Sequence, residues 1–308
     1  MLINRELTVE QIRSRLVEGI RNYFKGCGMT KAVLGLSGGI DSAVVAALAV
    51  EALGKKNVHG LMLPSDFSTL HSIQDAVDLA DNLGIKYNVV PISEVYHKFI
   101  KALEDVFKDR KEWSIAEENI QARIRGTMLM AYSNKFNALL LNTSNKSELC
   151  TGYGTLYGDL AGAIMVIADL YKCDVYELAY DINTEREIIP VSTLTKAPSA
   201  ELRPNQKDSD SLPDYDVLDP VLYQLNEGGK TPEDLVEEGY DRLLVERIAS
   251  LIGKSSFKVH QIPPILNLSK APKDWYDAGM KMDFILDKPE NLRLFITSLF
   301  GNRRKAMD

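Results

Sequence analysis

KAVLGLSGGIDSAVVAALAVEALG, residues 31–54, passes from a short apolar run through two glycines into an Ala-rich stretch. Residues 31–36 read as a strand, Ser37-Gly38-Gly39 as a tight turn, and a helix begins near Asp41 and closes at Gly54. Glycine lets the backbone turn sharply and approach a ligand with no Cβ in the way. The amides of residues 38–42 then face outward at the positive end of a helix, where phosphate oxygens bind. Ser37 and Ser42 add hydroxyl donors. The Lys-bearing nucleotide loop reaches phosphates with its lysine. Here the charged residue is Asp41, and an acid at that point implies a Mg²⁺ ion bridging to the oxygens. The plainer alternative is a glycine turn with Asp41 as helix N-cap. Strand, turn, hydroxyls, acid and helix coincide, which favours a phosphate site.

The flanking sequence extends the same pattern. Val9, Ile12, Leu16, Ile20 and Phe24 recur at helical spacing, with Thr8 and Gln11 placed for a capping box and Gly26 for the end. VHGLML (58–63), KYNVV (86–90) and ALLLN (138–142) read as strands. STLHSIQDAVDLADNLG (68–84) and SIAEENIQARIRGTMLMAYSNKF (114–136) read as helices. Short apolar strands alternating with helices predict an α/β fold: a doubly wound, mostly parallel sheet covered by helices on both faces. Residues 214–308 return to helical patterns, including DRLLVERIASLIG (241–253) and ENLRLFITSLF (290–300), giving a helical C-terminal part. No internal repeat or boundary divides the chain, so residues 1–308 are expected to form a single domain.

Between these parts lie two segments of different character. TSNKSELCTGYGTLYGDLAG (143–162) is rich in Gly, Ser and Thr and reads as a site-forming loop. KAPSAELRPNQKDSDSLPDYDVLDP (196–220) is polar, punctuated by proline, and too long for a casual connection, so it reads as mobile, a lid, or both.

Composition bounds the function. The 308 residues are 45% hydrophobic and 26% charged with a net charge of −7, which argues against general nucleic-acid binding. The three cysteines form no CxxC pair, the four histidines show no metal spacing, and no run is long enough to span a membrane. A charged N-terminus and unpaired cysteines suggest a reducing, cytoplasmic setting.

SGGIDS resembles the pyrophosphate loop of the PP-loop ATP pyrophosphatases, which adenylylate a carboxylate or carbonyl. ENIQARIRG (118–126), LLLNTSNKSELCTGYGTLYGDLAG (139–162) and KAPSAELRPNQKDSDSLPDYDVLD (196–219) narrow this to a resemblance to NAD synthetase, closest to the synthetase half of its glutamine-dependent branch. The resemblance implies a ligase making NAD from deamido-NAD, ATP and ammonia, typically as a homodimer with the dinucleotide at the subunit interface. Carried over by residue, it implies that Gly35, Leu36, Ser37, Gly38, Gly39, Ile40, Asp41 and Ser42 hold the ATP phosphates, and that Asp41 and Glu148 hold Mg²⁺. Thr143, Lys172 and Ser199 meet ATP. Asn119, Arg123, Glu148 and Lys258 meet deamido-NAD. Asp41, Glu148 and Lys172 form the catalytic group.

The residues alone support part of this. Asp41 and Thr143 each follow a strand by a few residues, where open parallel sheets bind ligands. Asn119 and Arg123 share a helix face. Taken singly, Glu148 would be a solvated helix residue, Arg123 an ion-pair partner of Glu117 or Glu118, and Asp159 a turn former or a further oxygen ligand. Lys172 and Lys258 carry no signal by themselves. Met128 and Met130 read as core packing and the terminal NRRK run as a solvated tail. Two other readings compete: another PP-loop amide ligase or a tRNA thiolase, and a nucleotide-binding sensor without chemistry. The absent CxxC and the acidic charge disfavour the thiolase.

The nitrogen donor is a separate expectation. The residues before Ser37 suffice for one helix and a strand and cannot house an amidase domain, Met1-Leu2 offers no N-terminal cysteine, and Cys27 lies at a helix end with no nearby histidine to activate it. Cys27 reads as a small, at least half-buried residue beside a helix cap. Free ammonia is therefore the expected donor, with a separate amidase subunit not excluded. The 203–213 loop is expected to close over the adenylate.

Overall fold

The structure is a computed structural model and describes residue 3, residues 7–110 and residues 112–268. The reading of a helix over 290–300 and of a solvated tail falls outside the described residues.

The quoted stretch forms β1 (Ala32–Gly35) and α2 (Ile40–Leu53), preceded by α1 (Val9–Cys27). Thr8 and Gln11 make the expected capping box on α1. The helix does not stop at Gly26. It runs to Cys27, and Gly28 ends it at φ 66°, a left-handed position that glycine adopts without strain. Cys27 is exposed, contrary to its reading as at least half-buried. Then come β2 (Val58–Met62), α3 (Leu70–Leu83), β3 (Lys86–Val89), α4 (Ser93–Leu103), α5 (Ile115–Phe136) and β4 (Leu139–Asn142).

β1, β2, β3 and β4 pair in parallel, and β5 (Ile164–Met165) adds a fifth strand beside β4, in the order β3-β2-β1-β4-β5. The α/β parallel fold is as the alternation predicted. β5 and α4 were not read from the sequence. β5 is two residues long and carries no periodic signal.

Strand side chains alternate between two apolar layers. Ala32, Leu34 and Val58 pack with α1, α2 and α3, while Val33, Leu61 and Leu140 pack with α4 and α5. Helices thus cover both faces. The chain leaves β1 toward β2 and β3, then returns to the other side of β1 as β4. That reversal opens a crevice at the carboxyl ends of β1 and β4, the place where such sheets receive ligands.

Beyond β4 come α6 (Lys146–Thr151), α7 (Lys172–Ile182) and α8 (Val191–Thr195). The helical C-terminal part begins with α9 (Tyr215–Asn226), α10 (Pro232–Glu237) and α11 (Arg242–Val259). These last three build a second apolar cluster around Leu218, Leu222, Val245 and Ile248, joined to the sheet side by Tyr171 and Cys150. No described helix is long and apolar enough to cross a membrane.

Candidate active site

The turn after β1 is organised before any ligand arrives. The Ser37 and Ser42 hydroxyls lie 3.1 Å apart, the Gly39 amide donates to Ser37 Oγ, and Ser42 Oγ donates to the Gly39 carbonyl. Gly38 has φ 78°, and a Cβ there would stand 2.1 Å from the Ser72 carbonyl oxygen, so only glycine fits. Gly39 is the N-cap of α2 and no side chain caps it. Asp41 lies in the first turn, so the N-cap alternative for it falls. Its carboxylate is engaged elsewhere.

That engagement defines the site. Lys172 Nζ, from the first residue of α7, lies 2.5 Å from Asp41 Oδ2 and 3.5 Å from Glu148 Oε1. Asn145 Nδ2 donates to Asp41 Oδ1 at 2.9 Å, while Asn145 also caps α6 in a capping box with Glu148. The ends of β1 and β4 are thereby tied together through one amide.

Burial and its neighbours set the charge of this group. Burial pushes the Glu148 carboxyl up, and Asp41 beside it pushes it further, to about 8. Burial alone would lower the Lys172 ammonium, but Asp41 and Glu148 outweigh it and hold it charged. Asp208 adds a third carboxylate nearby, pushed up by burial and held by the Tyr153 hydroxyl at 3.1 Å and the Tyr215 hydroxyl at 2.9 Å.

Asp41 and Glu148 are hard oxygen donors of the kind a divalent metal ion takes, and a metal ion there would compete with Lys172 for them. Among the described residues no three His, Cys, Asp or Glu side chains gather closely enough to hold a metal ion. A Mg²⁺ ion here would complete its shell with phosphate oxygens and water, its usual habit.

The positions of Asp41 and Lys172 are braced from behind. Asp219 is fully buried, accepts from the Ser147 hydroxyl at 2.5 Å and from the Cys173 amide at 2.8 Å, and so joins α6 to the start of α7. Lys146, the first residue of α6, is buried 2.8 Å from Asp169 and 2.5 Å from Glu227. Pairing there outweighs desolvation and raises the ammonium.

These groups border a cavity of about 320 Å³, within the range of small-molecule sites. The expected residues Gly35, Leu36, Ser37, Gly39, Ile40, Asp41, Ser42, Thr143, Glu148, Lys172 and Ser199 line it. Gly38 lies behind, against α3. Asn119, Arg123 and Lys258 do not line it and gather instead on the loop over 152–158. Asn119 Oδ1 accepts from Thr155 Oγ1, Arg123 Nε donates to the Leu156 carbonyl, and Lys258 Nζ donates to the carbonyls of Gly152 and Gly154 at 2.7 Å each. Burial lowers the Lys258 ammonium.

Several single-residue readings are corrected here. Glu148 is not a solvated helix residue, and Arg123 bonds a backbone carbonyl rather than Glu117 or Glu118. Asp159 forms its turn by accepting from the Thr155 amide at 2.6 Å. Met128 packs against the α4–α5 layer, but Met130 is exposed and not core. Sequence reasoning missed Asn145, Asp208, Asp219 and the cavity-lining Arg125. The first three stand inside the NKSE and KDSDSLPDYDVLD stretches, which was the available signal.

The 196–214 segment covers one side of the cavity. It carries only a short 3₁₀ turn over Asp208–Asp210. Glu201, at φ 48°, accepts from Ser72 Oγ at 2.7 Å and Thr69 Oγ1 at 3.0 Å at the start of α3. Arg203 pairs with Asp210 at 2.8 Å and approaches Glu118 at 3.5 Å.

Residues 12–262 match the NAD synthase family. A glutamine-dependent NAD(+) synthetase of Synechocystis is 51% identical over 84% of this chain and 46% of its own length. The chain spans about half the length of the curated relatives it matches. An NH3-dependent NAD synthetase from Campylobacter jejuni superposes with TM-score 0.67 at 31% identity, over 85% of this chain and 100% of that one. An NMN synthetase from Francisella tularensis gives TM-score 0.71 at 29% identity, over 87% of this chain and 99% of that one. With the family model matched over most of the chain, the chain belongs to the NAD synthase family.

Proposed function

We propose that this chain amidates deamido-NAD with ammonia, consuming ATP and releasing AMP and pyrophosphate. The observation that carries this is the convergence of Asp41 and Glu148 on Lys172 beside the phosphate loop, at the crevice between β1 and β4.

The nicotinate carboxylate oxygen attacks the α-phosphorus of ATP and the bond to the bridging oxygen breaks. The loop over residues 37–42 receives the departing pyrophosphate through its amides and hydroxyls. Lys172 supplies a fixed positive charge at the same place. A bound Mg²⁺ ion, held by Asp41 and Glu148, supplies charge neutralisation to the phosphates. Thr143 and Ser199 line the same cavity and complete the ATP contacts. The lone pair of ammonia then attacks the carbonyl of the acyl adenylate, AMP departs, and the surplus proton leaves to solvent. No protein nucleophile is needed; positioning carries the reaction. The 203–213 segment, held by Arg203 and Glu201, keeps water from the adenylate.

Asn119, Arg123 and Lys258 all bond the 152–158 loop, which borders the cavity through Tyr153 and Gly158, and this supports a dinucleotide that reaches from the cavity to the loop. Met130 and Tyr157 are exposed beside them, which supports a second copy of the chain covering that end in a homodimer.

The cysteines support ammonia as the donor used at this site. Burial pushes the Cys150 and Cys173 thiols up to about 12, so neither is poised as a glutaminase nucleophile, and partial desolvation raises the exposed Cys27 thiol as well. The glutamine-dependent relatives extend beyond the matched part, and a unit that delivers ammonia would leave the chemistry here unchanged.

Incubation of the purified chain with ATP, Mg²⁺, ammonium and deamido-NAD tests the reading. NAD and AMP in equal amounts are expected, with little product from glutamine in ammonia-free reagents and little from nicotinate mononucleotide. AMP without NAD would point to another acceptor. Efficient glutamine-driven synthesis by the chain alone would overturn the ammonia assignment.

A further inference from the structure

Three cations line the cavity: Lys172, Lys196 and Arg125. Lys172 is paired with Asp41 and Lys196 with Asp75 at 2.7 Å. Arg125 differs. It forms no ion pair among the described residues, and its one hydrogen bond among them runs from Nε to the Leu63 carbonyl at 2.9 Å. Its Nη1 and Nη2 groups are engaged by no described residue.

The acids that could have paired with it are committed elsewhere. Asp159 accepts from the Thr155 amide, and Glu201 is held by Thr69 and Ser72. Their fields reach Arg125 without offsetting its desolvation, which lowers the guanidinium to about 10. It therefore stays charged at neutral pH, as a half-buried cation in the cavity wall whose Nη1 and Nη2 have no partner among the described residues. Such a group is costly to keep unless an anion arrives to meet it.

Its place in the fold says which anion. Arg125 comes from α5, on the face of the sheet opposite α2, and is anchored just past the end of β2. The phosphate loop follows β1, the neighbouring strand, and is stitched to β2 where the Leu36 amide donates to the Leu61 carbonyl at 2.9 Å. A triphosphate whose outer two phosphates occupy residues 37–42 must place its next phosphate beyond the loop, along the same crevice.

We propose that Arg125 receives the α-phosphate of ATP, the reacting centre, so that the nucleotide is held by α2 from one face of the sheet and by α5 from the other. This rests on the reading of the cavity as an ATP site and assigns it a ligand beyond the loop. Arg125 meets the α-phosphate in the ground state and again when charge develops on it during attack by the carboxylate.

The test compares AMP with adenosine, which differ by that one phosphate, by calorimetry on the full chain with no deamido-NAD present. Arg125→Gln should weaken AMP by about 10- to 100-fold, the range of one charge-assisted contact, and leave adenosine within twofold. Arg125→Lys keeps the charge without the planar fork and should lose less for AMP, again sparing adenosine. It serves as the measured variant should Arg125→Gln not fold. Equal losses for AMP and adenosine, or no loss for either, overturn the proposal while leaving the ATP reading intact. Wild-type chain that binds adenosine as tightly as AMP overturns it without any variant. Wild-type chain that binds neither overturns the ATP reading and this proposal with it.

Discussion

Lys172 Nζ stands 2.5 Å from Asp41 Oδ2 and 3.5 Å from Glu148 Oε1, so a single ammonium occupies the focus of two carboxylates from different strand ends. An incoming metal ion competes for the same oxygens. Asp41→Asn removes one charge and leaves Lys172 buried with Glu148 in contact and Asp208 further off. AMP formation is expected to fall by about 100-fold or more, the usual cost of losing a preorganised charge at a phosphoryl centre. Stability is expected to fall by about 1–3 kcal/mol, because a partly compensated charge stays buried. Adding Lys172→Met should recover much of that stability and none of the activity. Thermal melting and AMP release on the two variants check this, and near-wild-type turnover in Asp41→Asn would remove Asp41 from the metal site.

The raised Glu148 carboxyl makes metal binding depend on pH. Burial and Asp41 hold it protonated up to about 8, and a protonated carboxyl does not ligate Mg²⁺. Affinity for Mg·ATP is expected to climb as pH rises toward 8, by at most about tenfold per unit, with proton release on binding. The sign for folding is opposite. A carboxyl raised in the folded state favours folding while it holds its proton, so its contribution declines between pH 4.5, its reference value, and about 8. Without metal, Glu148→Gln should flatten that decline relative to wild type while removing the pH dependence of Mg·ATP binding. Calorimetry in buffers of different ionisation enthalpy and melting curves across this range measure both.

The fold was legible because its signal is periodic. β1, β2 and β4 are apolar runs, α1, α3 and α5 carry side-chain caps, and the two faces of Ala32–Gly35 both pack. β5 escaped because two residues set no period. The loop signature named Asp41 and its neighbours because glycine, hydroxyl and acid must be contiguous there. Lys172 gained meaning only through the family resemblance, since its partners are 131 residues away at Asp41 and, in α6, at Glu148. Arg125 was unreadable for a physical reason. An arginine on a helix is ordinary, and what sets this one apart is that it forms no ion pair among the described residues, which sequence does not display. Asp208 and Asp219 were in plain view within a recognised motif, but the difference between a metal-site neighbour and a helix brace lies in their burial and partners.

Glu201 fastens the 196–214 segment to α3 with bonds from Ser72 and Thr69, and pays for it with a left-handed backbone at φ 48°. Glu201→Ala removes the fastening and leaves the phosphate loop untouched. The expected result is leakage: NAD formed per AMP falls by about twofold or more, because water reaches the adenylate when the cover loosens. Truncating 203–213 should act in the same direction and more strongly. Parallel measurement of NAD and AMP gives the ratio, and an unchanged ratio in both variants would mean that the segment does not shield the intermediate.

Gly158 lines the cavity and packs the 152–158 loop against α5. A Cβ there would lie 2.9 Å from the Ala122 carbonyl carbon and 3.1 Å from the Arg123 nitrogen, both backbone atoms of α5 that have little room to yield. The same loop bears the Thr155 hydroxyl bonded to Asn119, the Leu156 carbonyl bonded to Arg123, and the Gly152 and Gly154 carbonyls bonded to Lys258. Gly158→Ala should push the loop off α5 and loosen these contacts together, at about 1–3 kcal/mol of stability. The Asp41–Lys172 pair lies on α2 and α7 and should be little disturbed. The KM for deamido-NAD is therefore expected to rise by about tenfold while the KM for ATP stays within twofold, a split that simple misfolding does not produce. Equal increases in both would detach Asn119, Arg123 and Lys258 from the dinucleotide.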